Sequence, residues 1–351
     1  MKSLRRAGRT LTGSGLAIGL AVTGLLAPAA AARTAVEPAT IGRGADPSVT
    51  YLVHDIIHDG ALSTQATRHG QHERLWNVRD GYLLQDWLQG ADAFRLTFVG
   101  TGARAGEKRV IGRSALQMTV AVARDGTRVV WTQGPNDLSK PTVVRVTDLA
   151  TGRLVAGRMF ALADVRALTG TRVLLSRRGA HSPATTVWWT FAHDTITTIA
   201  DRAVLRADVA RDRIVLAAGA RDSFCVRVAR LSHPDRTLWR SCRRAAYAWS
   251  PDGSRVLATH TYFDDVGTDQ WLTLRDRNAA RLGGITGRFA WQAVWEDDRH
   301  LLTLALGDSG QAGIVRCTVA GRCERASRLW NVGTATAQPN FIPPPVVLAS
   351  N

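Results

Sequence analysis

A strand–turn–strand pattern recurs at nearly constant intervals along this chain. In each copy, an apolar run is followed by a tight turn with Asp, Gly or both, and then by a second apolar run. The turns centre on residues 80, 125, 169, 212, 252 and 297, so the successive intervals are 45, 44, 43, 40 and 45 residues. A period of 40–45 residues with several strands per unit is typical of propeller blades. The sequence therefore predicts an all-β fold, a β-propeller of four-stranded antiparallel blades. The repeat-turn residues are Asp80, Gly81, Asp125, Gly126, Asp252 and Gly253.

Four strands can be assigned within the best-preserved units. Alternating apolar and polar residues, separated by Gly, Asp, Asn or Pro, favour antiparallel strands over helices. In the fifth unit we predict an inner strand at Ala246–Trp249 and an outer strand at Ala280–Gly283; in the sixth unit the inner strand is predicted at Ala290–Trp295. Tryptophans recur beside the inner strands, where large flat side chains are expected to pack between blades.

The chain termini are predicted to complete the ring. Six units span roughly residues 71–330, which leaves a strand pair at Val49–Asp55 and Leu62–Ala66 and a C-terminal piece beginning at Leu329. We predict that these parts form a seventh, composite blade, because closing the ring removes exposed sheet edges. A six-bladed ring with loose ends is the alternative.

The first 32 residues have the features of a secretory signal peptide. Lys2, Arg5, Arg6 and Arg9 precede an apolar stretch, and small residues follow it up to Ala32. A retained membrane anchor is the alternative. We therefore predict a signal peptide at 1–32, a disordered linker at 33–47, the β-propeller at 48–340 and a Pro-rich tail at 341–351, in a protein exported to the cell envelope or outside the cell, without a transmembrane segment in the mature chain.

The chain is strongly basic. Its formal net charge is +16, and removal of the four basic residues of the leader leaves +12. A basic surface attracts anionic partners, but the Arg residues are scattered rather than gathered in the stripe typical of nucleic-acid binders. Codon bias in a GC-rich, actinobacterial genome is the alternative source of the charge. We expect no nucleic-acid partner. An anionic polymer of the cell envelope is still a possible partner.

Four cysteines are expected to form two disulfides. Cys225 and Cys242 bracket one strand–turn–strand segment, and Cys317 and Cys323 bracket another. Pairing within each segment is the geometrically easy choice among three connectivities. An even number of cysteines in an exported chain is typical of disulfides. A zinc site is the weaker reading, because no Cys-x-x-Cys pair or adjacent His completes a tetrahedral set.

The segment Ala248–Leu257, with the sequence AWSPDGSRVL, resembles the repeat motif of TolB-like and WD-repeat-like β-propellers. Pro251 fixes φ at the turn, while Asp252 and Gly253 suit the turn that the following strand needs. The other units keep the period but degrade the motif. The resemblance implies a scaffold that binds a protein, peptide or glycan across one face.

Three groups of residues could carry chemistry, and each has a simpler structural explanation. Gly307-Asp308-Ser309-Gly310 is similar to the surroundings of a serine nucleophile but lies where a turn is expected. His54, His58, His69 and His72 could bind a metal, although histidines four apart on a strand are too distant to share one ion. Asp264, Asp265 and Asp269 could hold Ca²⁺, but their spacing does not match a calcium loop. We predict no metal, no cofactor and no assigned catalytic residue.

The sequence favours a non-catalytic binding scaffold for a protein, a peptide or a cell-envelope polymer. The alternative is an extracellular hydrolase or lyase that acts on glycans or peptides at the propeller channel. A convergent set of titratable side chains at the ring axis would distinguish the two.

Overall fold

The structure is a computed structural model, and it describes residues 33–67, 70–115, 118–134, 140–179, 182–218, 225–260, 269–276, 280–332 and 346–350. Within these ranges the chain forms β-strands and two short 3₁₀ turns at Gln89–Ala91 and Gly102–Arg104. The strands of the first half are β1 (Arg33–Ala35), β2 (Tyr51–Val53), β3 (Ile56–Asp59), β4 (Leu62–Gln65), β5 (Gln71–Val78), β6 (Gly81–Leu88), β7 (Ala93–Gly100), β8 (Lys108–Ser114), β9 (Val120–Val122), β10 (Arg128–Gln133), β11 (Thr142–Asp148), β12 (Leu154–Phe160), β13 (Leu162–Leu168), β14 (Arg172–Arg178), β15 (Thr185–Thr190) and β16 (Thr195–Ala200). The strands of the second half are β17 (Val204–Asp208), β18 (Arg213–Ala217), β19 (Val226–Ala229), β20 (Thr237–Ser241), β21 (Arg244–Trp249), β22 (Arg255–His260), β23 (Asp269–Asp276), β24 (Arg281–Trp295), β25 (His300–Leu306), β26 (Gln311–Thr318), β27 (Cys323–Arg325), β28 (Trp330–Asn331) and β29 (Val346–Ser350).

These strands form seven four-stranded blades, as the repeat predicted. Blades 1 to 4 are β5–β8, β9–β12, β13–β16 and β17–β20, each antiparallel and each contiguous in sequence. Blade 5 is β21, β22, β23 and the first half of β24, and blade 6 is the second half of β24 with β25, β26 and β27. The short strand β28 also pairs with β26. Blade 7 is composite: β29 is its inner strand, and β2, β3 and β4 follow outwards.

Seven hydrophobic clusters of described residues hold the blades together, one at each blade–blade interface. The second strand of a blade is sandwiched between its neighbours, so β10 is buried at Val129, Val130 and Trp131 on both faces. This double burial explains why such strands are continuous apolar runs rich in β-branched residues. The interface of blades 7 and 1 contains Leu52, Leu84 and Val347. Blade 7 therefore packs on blade 1, and the ring closes.

The C-terminal strand corrects two predictions. Residues 341–351 are predicted to be a tail, but Val346–Ser350 forms β29, and its first four residues are at most 1% exposed. The predicted closing segment, Leu329–Val332, instead lies against blade 6, where β28 pairs with β26. The run Val346-Val347-Leu348-Ala349 is apolar enough to fill the inner position between β2 and β5, and it pairs antiparallel with β2 and parallel with β5.

The segment 33–47, predicted to be a disordered linker, is docked on blades 5 and 6. β1 pairs parallel with β24, and Val36 is buried in the cluster between those blades. Further along, Arg325 N–H donates to Gly42 O at 2.8 Å, and Gly44 N–H donates to Arg325 O at 2.8 Å. Apolar burial and backbone pairing together order this segment, which the polar composition of the sequence did not suggest.

Strand β24 runs without a break from blade 5 into blade 6. Residues 281–288 pair with β23, and residues 288–295 pair with β25. The sequence predicts two strands here, Ala280–Gly283 and Ala290–Trp295, with a loop between them. Instead the outer strand of blade 5 continues directly into the inner strand of blade 6, so the two blades share one sheet.

The repeat turns contact one another around one end of the ring. Arg79 N–H donates to Gly126 O at 3.0 Å, which joins the turns of blades 1 and 2. Gly126 has φ +67°, and a Cβ there would lie 2.4 Å from Arg79 N, so only glycine fits. Between blades 5 and 6, Asp252 N–H donates to Asp298 Oδ1 at 2.7 Å. The turns that reveal the repeat therefore also connect neighbouring blades.

Candidate functional site: the arginine channel

The inner strands that line the ring axis are interrupted at similar positions by β-bulges. Register shifts occur between His72 and Arg74 in β5, between Val165 and Ala167 in β13, and between Ala246 and Ala248 in β21. The inner strands β17 and β24 carry shifts as well. A bulge leaves one residue unpaired and re-aims side chains at the edge of the sheet. At three of these bulges, or directly beside them, the chain places Arg74, Arg166 and Arg206.

We call these three residues the arginine channel, and Arg166 is its most firmly held member. Its Nε donates to Val204 O at 3.2 Å, which links the inner strand of blade 3 to that of blade 4. Its Nη2 lies 3.7 Å from Asp164 Oδ2 on the same strand. Burial lowers the pKa of Arg166, the charge of Asp164 opposes that lowering, and the positive charges of Arg206 and Arg74 add to it. The three guanidinium groups are thus close enough to repel one another.

Arg206 lies against an aromatic ring of the next blade. Its Cζ is 4.1 Å from the centre of the Tyr247 ring, a cation–π distance. Burial lowers the pKa of Arg206; the interactions with Tyr247 raise it, whereas the charge of Arg74 lowers it. A guanidinium stays charged in proteins, so the channel wall carries three positive charges at neutral pH.

The arginines are enclosed by protein and yet accessible to solvent. Arg74 and Arg206 are exposed, and the Arg166 side chain keeps 28% of its surface. The surrounding protein nevertheless desolvates Arg166 and Arg206, which lowers their pKa values. Side chains that are surrounded by protein but still reachable by water line an internal opening. Within the described part of the chain, Arg74 makes no side-chain hydrogen bond or ion pair, so its donors are unused.

Few acidic groups balance these charges. Asp164 is beside Arg166, and Glu73 is the unpaired residue of the β5 bulge, next to Arg74. Burial raises the pKa of Glu73 while the Arg74 charge opposes the rise, and Asp86 raises it further. Gln292 of blade 6 accepts from Leu348 N–H at 2.7 Å and donates to Glu73 O at 2.9 Å. This amide connects the inner strands of blades 6, 7 and 1.

A second charged cluster lies between blades 7 and 1 and is fully engaged. His72 Nδ1 is 2.6 Å from Asp86 Oδ1, and His72 Nε2 is 2.9 Å from Asp55 Oδ1. Asp86 is completely buried and also accepts from Arg95 Nη2 at 2.9 Å and from Thr67 Oγ1 at 3.2 Å. Burial lowers the pKa of His72, but the hydrogen bonds and charges of Asp86 and Asp55 outweigh it and raise the pKa above 6.5. Both ring nitrogens face carboxylate oxygens, which only accept, so the imidazole is a cation with no nitrogen left for proton transfer.

The other histidines predicted as metal candidates do not join His72. His58 stacks on Tyr51 with ring centres 4.9 Å apart and lies 3.4 Å from Ser63 Oγ. His54 is in the tight turn after β2 with φ 47°, and His69 lies outside the described residues. Among the residues that the structure describes, no three His, Cys, Asp or Glu side chains are grouped so that they could hold a metal ion. His72 itself is a buried residue of β5.

The remaining candidates occupy turns. Asp308 and Ser309 lie in the turn between β25 and β26, and Asp308 N–H donates to Glu37 Oε2 at 3.0 Å. Asp269 begins β23, whereas Asp264 and Asp265 lie outside the described residues. Asp80 has φ +60° in the two-residue turn before β6, and Gly81 is the first residue of that strand.

Asp125 and Asp252 stabilise their own turns. Asp125 Oδ1 accepts from Thr127 N–H at 3.1 Å. Asp252 accepts from Ser250 Oγ at 2.6 Å and from Ser254 N–H at 2.9 Å, and these bonds lower its pKa to about 2. Gly253 has φ +69°, and a Cβ there would lie 3.1 Å from the Arg211 side chain. Local hydrogen bonds therefore account for the repeated aspartates.

Both predicted disulfides are present. Cys225 is bonded to Cys242 and Cys317 to Cys323, with sequence separations of 17 and 6 residues. Cys317 is fully buried in the cluster between blades 5 and 6. The two bonds join β19 to the end of β20, and β26 to β27, within single blades.

The arginine channel was not visible in the sequence. Its members come from blades 1, 3 and 4 and are separated by long stretches of chain, so no local motif joins them. One weak signal exists: Arg74 and Arg206 each lie six residues before the centre of a repeat turn, at 80 and 212. Equivalent positions in a ring of repeats face the same axis.

Comparison with known proteins agrees with the fold. No protein-family model matches the chain, and the search of curated proteins gives no match. Among solved structures, a chain of the mitotic checkpoint complex has a TM-score of 0.50 at 12% identity, with 81% of this chain and 84% of that chain covered. The propeller domain of the trilobed protease from Pyrococcus furiosus has a TM-score of 0.47 at 12% identity, covering 74% and 86%. TolB from Acinetobacter baumannii has a TM-score of 0.44 at 10% identity, covering 66% of this chain and 58% of that chain.

The chain is thus a seven-bladed β-propeller. Within that class, the AWSPDGSRVL segment resembles the repeat motif of TolB-like and WD-repeat-like propellers. At these identities the likeness concerns the fold alone. Over the described ranges, the structure contains no helix with the length and apolar character needed to cross a membrane.

Proposed function

We propose that this protein is an exported, non-catalytic β-propeller that binds a protein, a peptide or a polymer of the cell envelope. The observation that carries the proposal is the arginine channel, where side chains from three blades converge at the ring axis and stay accessible. Elsewhere in the ring, the residues of the repeat pattern have structural roles in blade interfaces and turns. Ligand sites are typically concave and combine a largely fixed scaffold with a few convergent polar groups.

Export is supported by the two disulfides and by the predicted leader. Disulfides persist in oxidising compartments and are rare in the cytosol. Cys242 is exposed, so its bond with Cys225 would meet the surrounding redox conditions directly. We propose that residues 1–32 are removed during export, leaving a mature chain that starts at Arg33.

A binding role is favoured over catalysis by the state of the titratable groups. The channel has three guanidinium groups, which cannot act as bases at neutral pH. Its two carboxylates lie beside arginines on separate strands, Asp164 beside Arg166 and Glu73 next to Arg74. The His72–Asp86 pair has the residue types of an acid–base couple, but Asp55, Arg95 and Thr67 occupy its remaining hydrogen-bonding positions. General acid–base catalysis requires a group free to reach the reacting proton.

The proposal is tested by capturing partners from envelope extracts with immobilised mature protein, residues 33–351. We expect specific retention of a protein, peptide or polymer that is competed by the soluble mature protein. The control bait is an unrelated basic protein of similar size on the same resin, because exposed sheet edges in a ring-opened variant would retain partners non-specifically. Equal retention by both baits, or release of cleaved glycan or peptide products by the purified protein, would contradict the proposed function.

A further inference from the structure

We propose that the arginine channel binds a carboxylate of an acidic peptide segment that enters the ring axis. This inference rests on the proposed binding function and names the chemistry of its ligand. Arg74, Arg166 and Arg206 supply the donors, and Tyr247 forms the aromatic side of the site.

The first step is that the site needs an anion. Arg74, Arg166 and Arg206 each lie on an inner strand at or beside a bulge, and Arg166 Nε donates to Val204 O, two residues before Arg206. The positive charges of Arg206 and Arg74 lower the pKa of Arg166, so the three charges oppose one another. Within the described chain, Arg166 has the one close carboxylate partner, Asp164 at 3.7 Å, whereas Arg206 faces an aromatic ring and Arg74 has unused donors. Enclosure by protein weakens the screening of these charges by water. An incoming anion relieves the repulsion and uses the free N–H groups.

The second step is that the ligand group carries a single negative charge. Asp164 lies 3.7 Å from Arg166, and the charge of Arg74 acts on Glu73, so three positive charges are offset by two acidic groups. The site therefore has an excess of about one positive charge, which a single carboxylate would neutralise. A polyphosphate or a nucleic-acid strand would bring several negative charges against Asp164 and Glu73, and these would oppose its entry.

The third step is that the geometry suits a planar group on a peptide chain. A guanidinium presents a rigid, planar fork that binds a carboxylate through two parallel hydrogen bonds. Arg206 already lies over the Tyr247 ring, with its Cζ 4.1 Å from the ring centre, so little side-chain freedom is lost when it binds. The bulges that place these residues also interrupt the inner-strand pairing, and backbone groups at an interrupted edge can hydrogen-bond a peptide.

The probe is the peptide GGEGG, blocked at both ends and labelled with an uncharged fluorophore, because it carries a single carboxylate; the peptide GGQGG is the neutral control. We expect the mature protein to bind GGEGG with a dissociation constant in the micromolar to millimolar range and to leave GGQGG unbound. Arg74→Gln and Arg206→Gln should each weaken binding by about tenfold or more. Arg124→Gln removes the same charge from an exposed turn residue and should leave binding unchanged within about twofold. Thermal unfolding of each variant confirms that the ring is intact.

Three results would overturn the inference. They are the absence of GGEGG binding at low salt, equal binding by Arg74→Gln, Arg206→Gln and the unsubstituted protein, and tighter Arg206-dependent binding of polyphosphate than of GGEGG. The envelope capture separates this failure from that of the proposed function. Capture that Arg206→Gln does not reduce would leave a binding scaffold without this site. GGEGG binding without any captured partner would leave the site but not the scaffold role.

Discussion

At the scale of single residues, His72 shows how partners decide the role of a side chain. The sequence displays it as one of four neighbouring histidines, and nothing nearby marks Asp86 or Arg95 as its partners. Those residues lie on β6 and β7, so only the antiparallel pairing of blade 1 brings them to His72. The histidine cluster could therefore be found from the sequence, whereas its chemistry could not, because that depends on cross-strand neighbours.

The raised pKa of His72 predicts a pH-dependent stability. A raised folded-state pKa contributes stability that is fully present below the unfolded value near 6.5 and is lost as pH rises through the folded value. We expect His72→Gln to lower the free energy of unfolding by about 2 kcal/mol at pH 6, with a smaller effect at higher pH. Urea unfolding between about pH 6 and pH 9 measures it.

The control for this experiment is His233→Gln, since His233 is exposed and bonded only to a neighbouring serine, with Ser232 Oγ 3.0 Å from its Nδ1. The charged groups around His72 are Asp86, Asp55 and Arg95. Parallel pH profiles for the unsubstituted protein and His72→Gln would show that the imidazolium does not contribute.

At the scale of strands and turns, the sequence was informative wherever local chemistry decides the structure. The Asp and Gly turns and the doubly buried second strands follow from residue type and alternation. The bulges of the inner strands do not, because a bulge adjusts a strand to its neighbours in the ring. From the sequence, Arg166 is therefore an ordinary strand residue. In the structure it is the bulge residue of β13 and has no pairing partner on β14.

The disulfides provide a prediction at this scale. Replacing Cys225 and Cys242 together by Ala should lower the free energy of unfolding by about 3 kcal/mol, because the bond closes a loop of 17 residues. The same change at Cys317 and Cys323, with a separation of 6, loses about 2 kcal/mol of loop entropy. The burial of Cys317 adds a packing cost to the second variant.

Guanidinium unfolding under non-reducing conditions measures both disulfide variants. A reducing agent should shift the midpoint of the unsubstituted protein but not that of a variant lacking all four cysteines. An unchanged midpoint in the Cys225/Cys242 variant would show that this bond does not constrain the unfolded chain.

At the scale of the whole molecule, the number of blades followed from the repeat, but the way the ring closes did not. The composite blade is confirmed, yet its C-terminal strand begins after the Pro-rich segment, not at Leu329. A run of five residues after three prolines resembles a tail in composition. Its burial comes from the gap between β2 and β5, which exists only once the other blades are in place.

Because β29 closes the ring, one charge introduced into this strand should strongly destabilise the fold. Leu348 is fully buried between blades 6 and 7, so Leu348→Asp should prevent stable closure of the ring. Unpaired β2 and β5 edges would then favour aggregation. Leu62→Asp is the matched control, because Leu62 is 63% exposed on the outer strand β4. Size-exclusion chromatography and thermal unfolding distinguish the two, and a monomeric Leu348→Asp protein with an unchanged midpoint would contradict this account of closure.

The composite blade also governs when the fold can be completed. Tyr51 pairs with Leu348, about 300 positions further along the chain, and contacts of such high sequence separation form slowly. Until residues 346–350 are in place, the edges of β2 and β5 that they pair with stay open. Open edges favour aggregation, so we expect a chaperone to matter most before this last strand has docked.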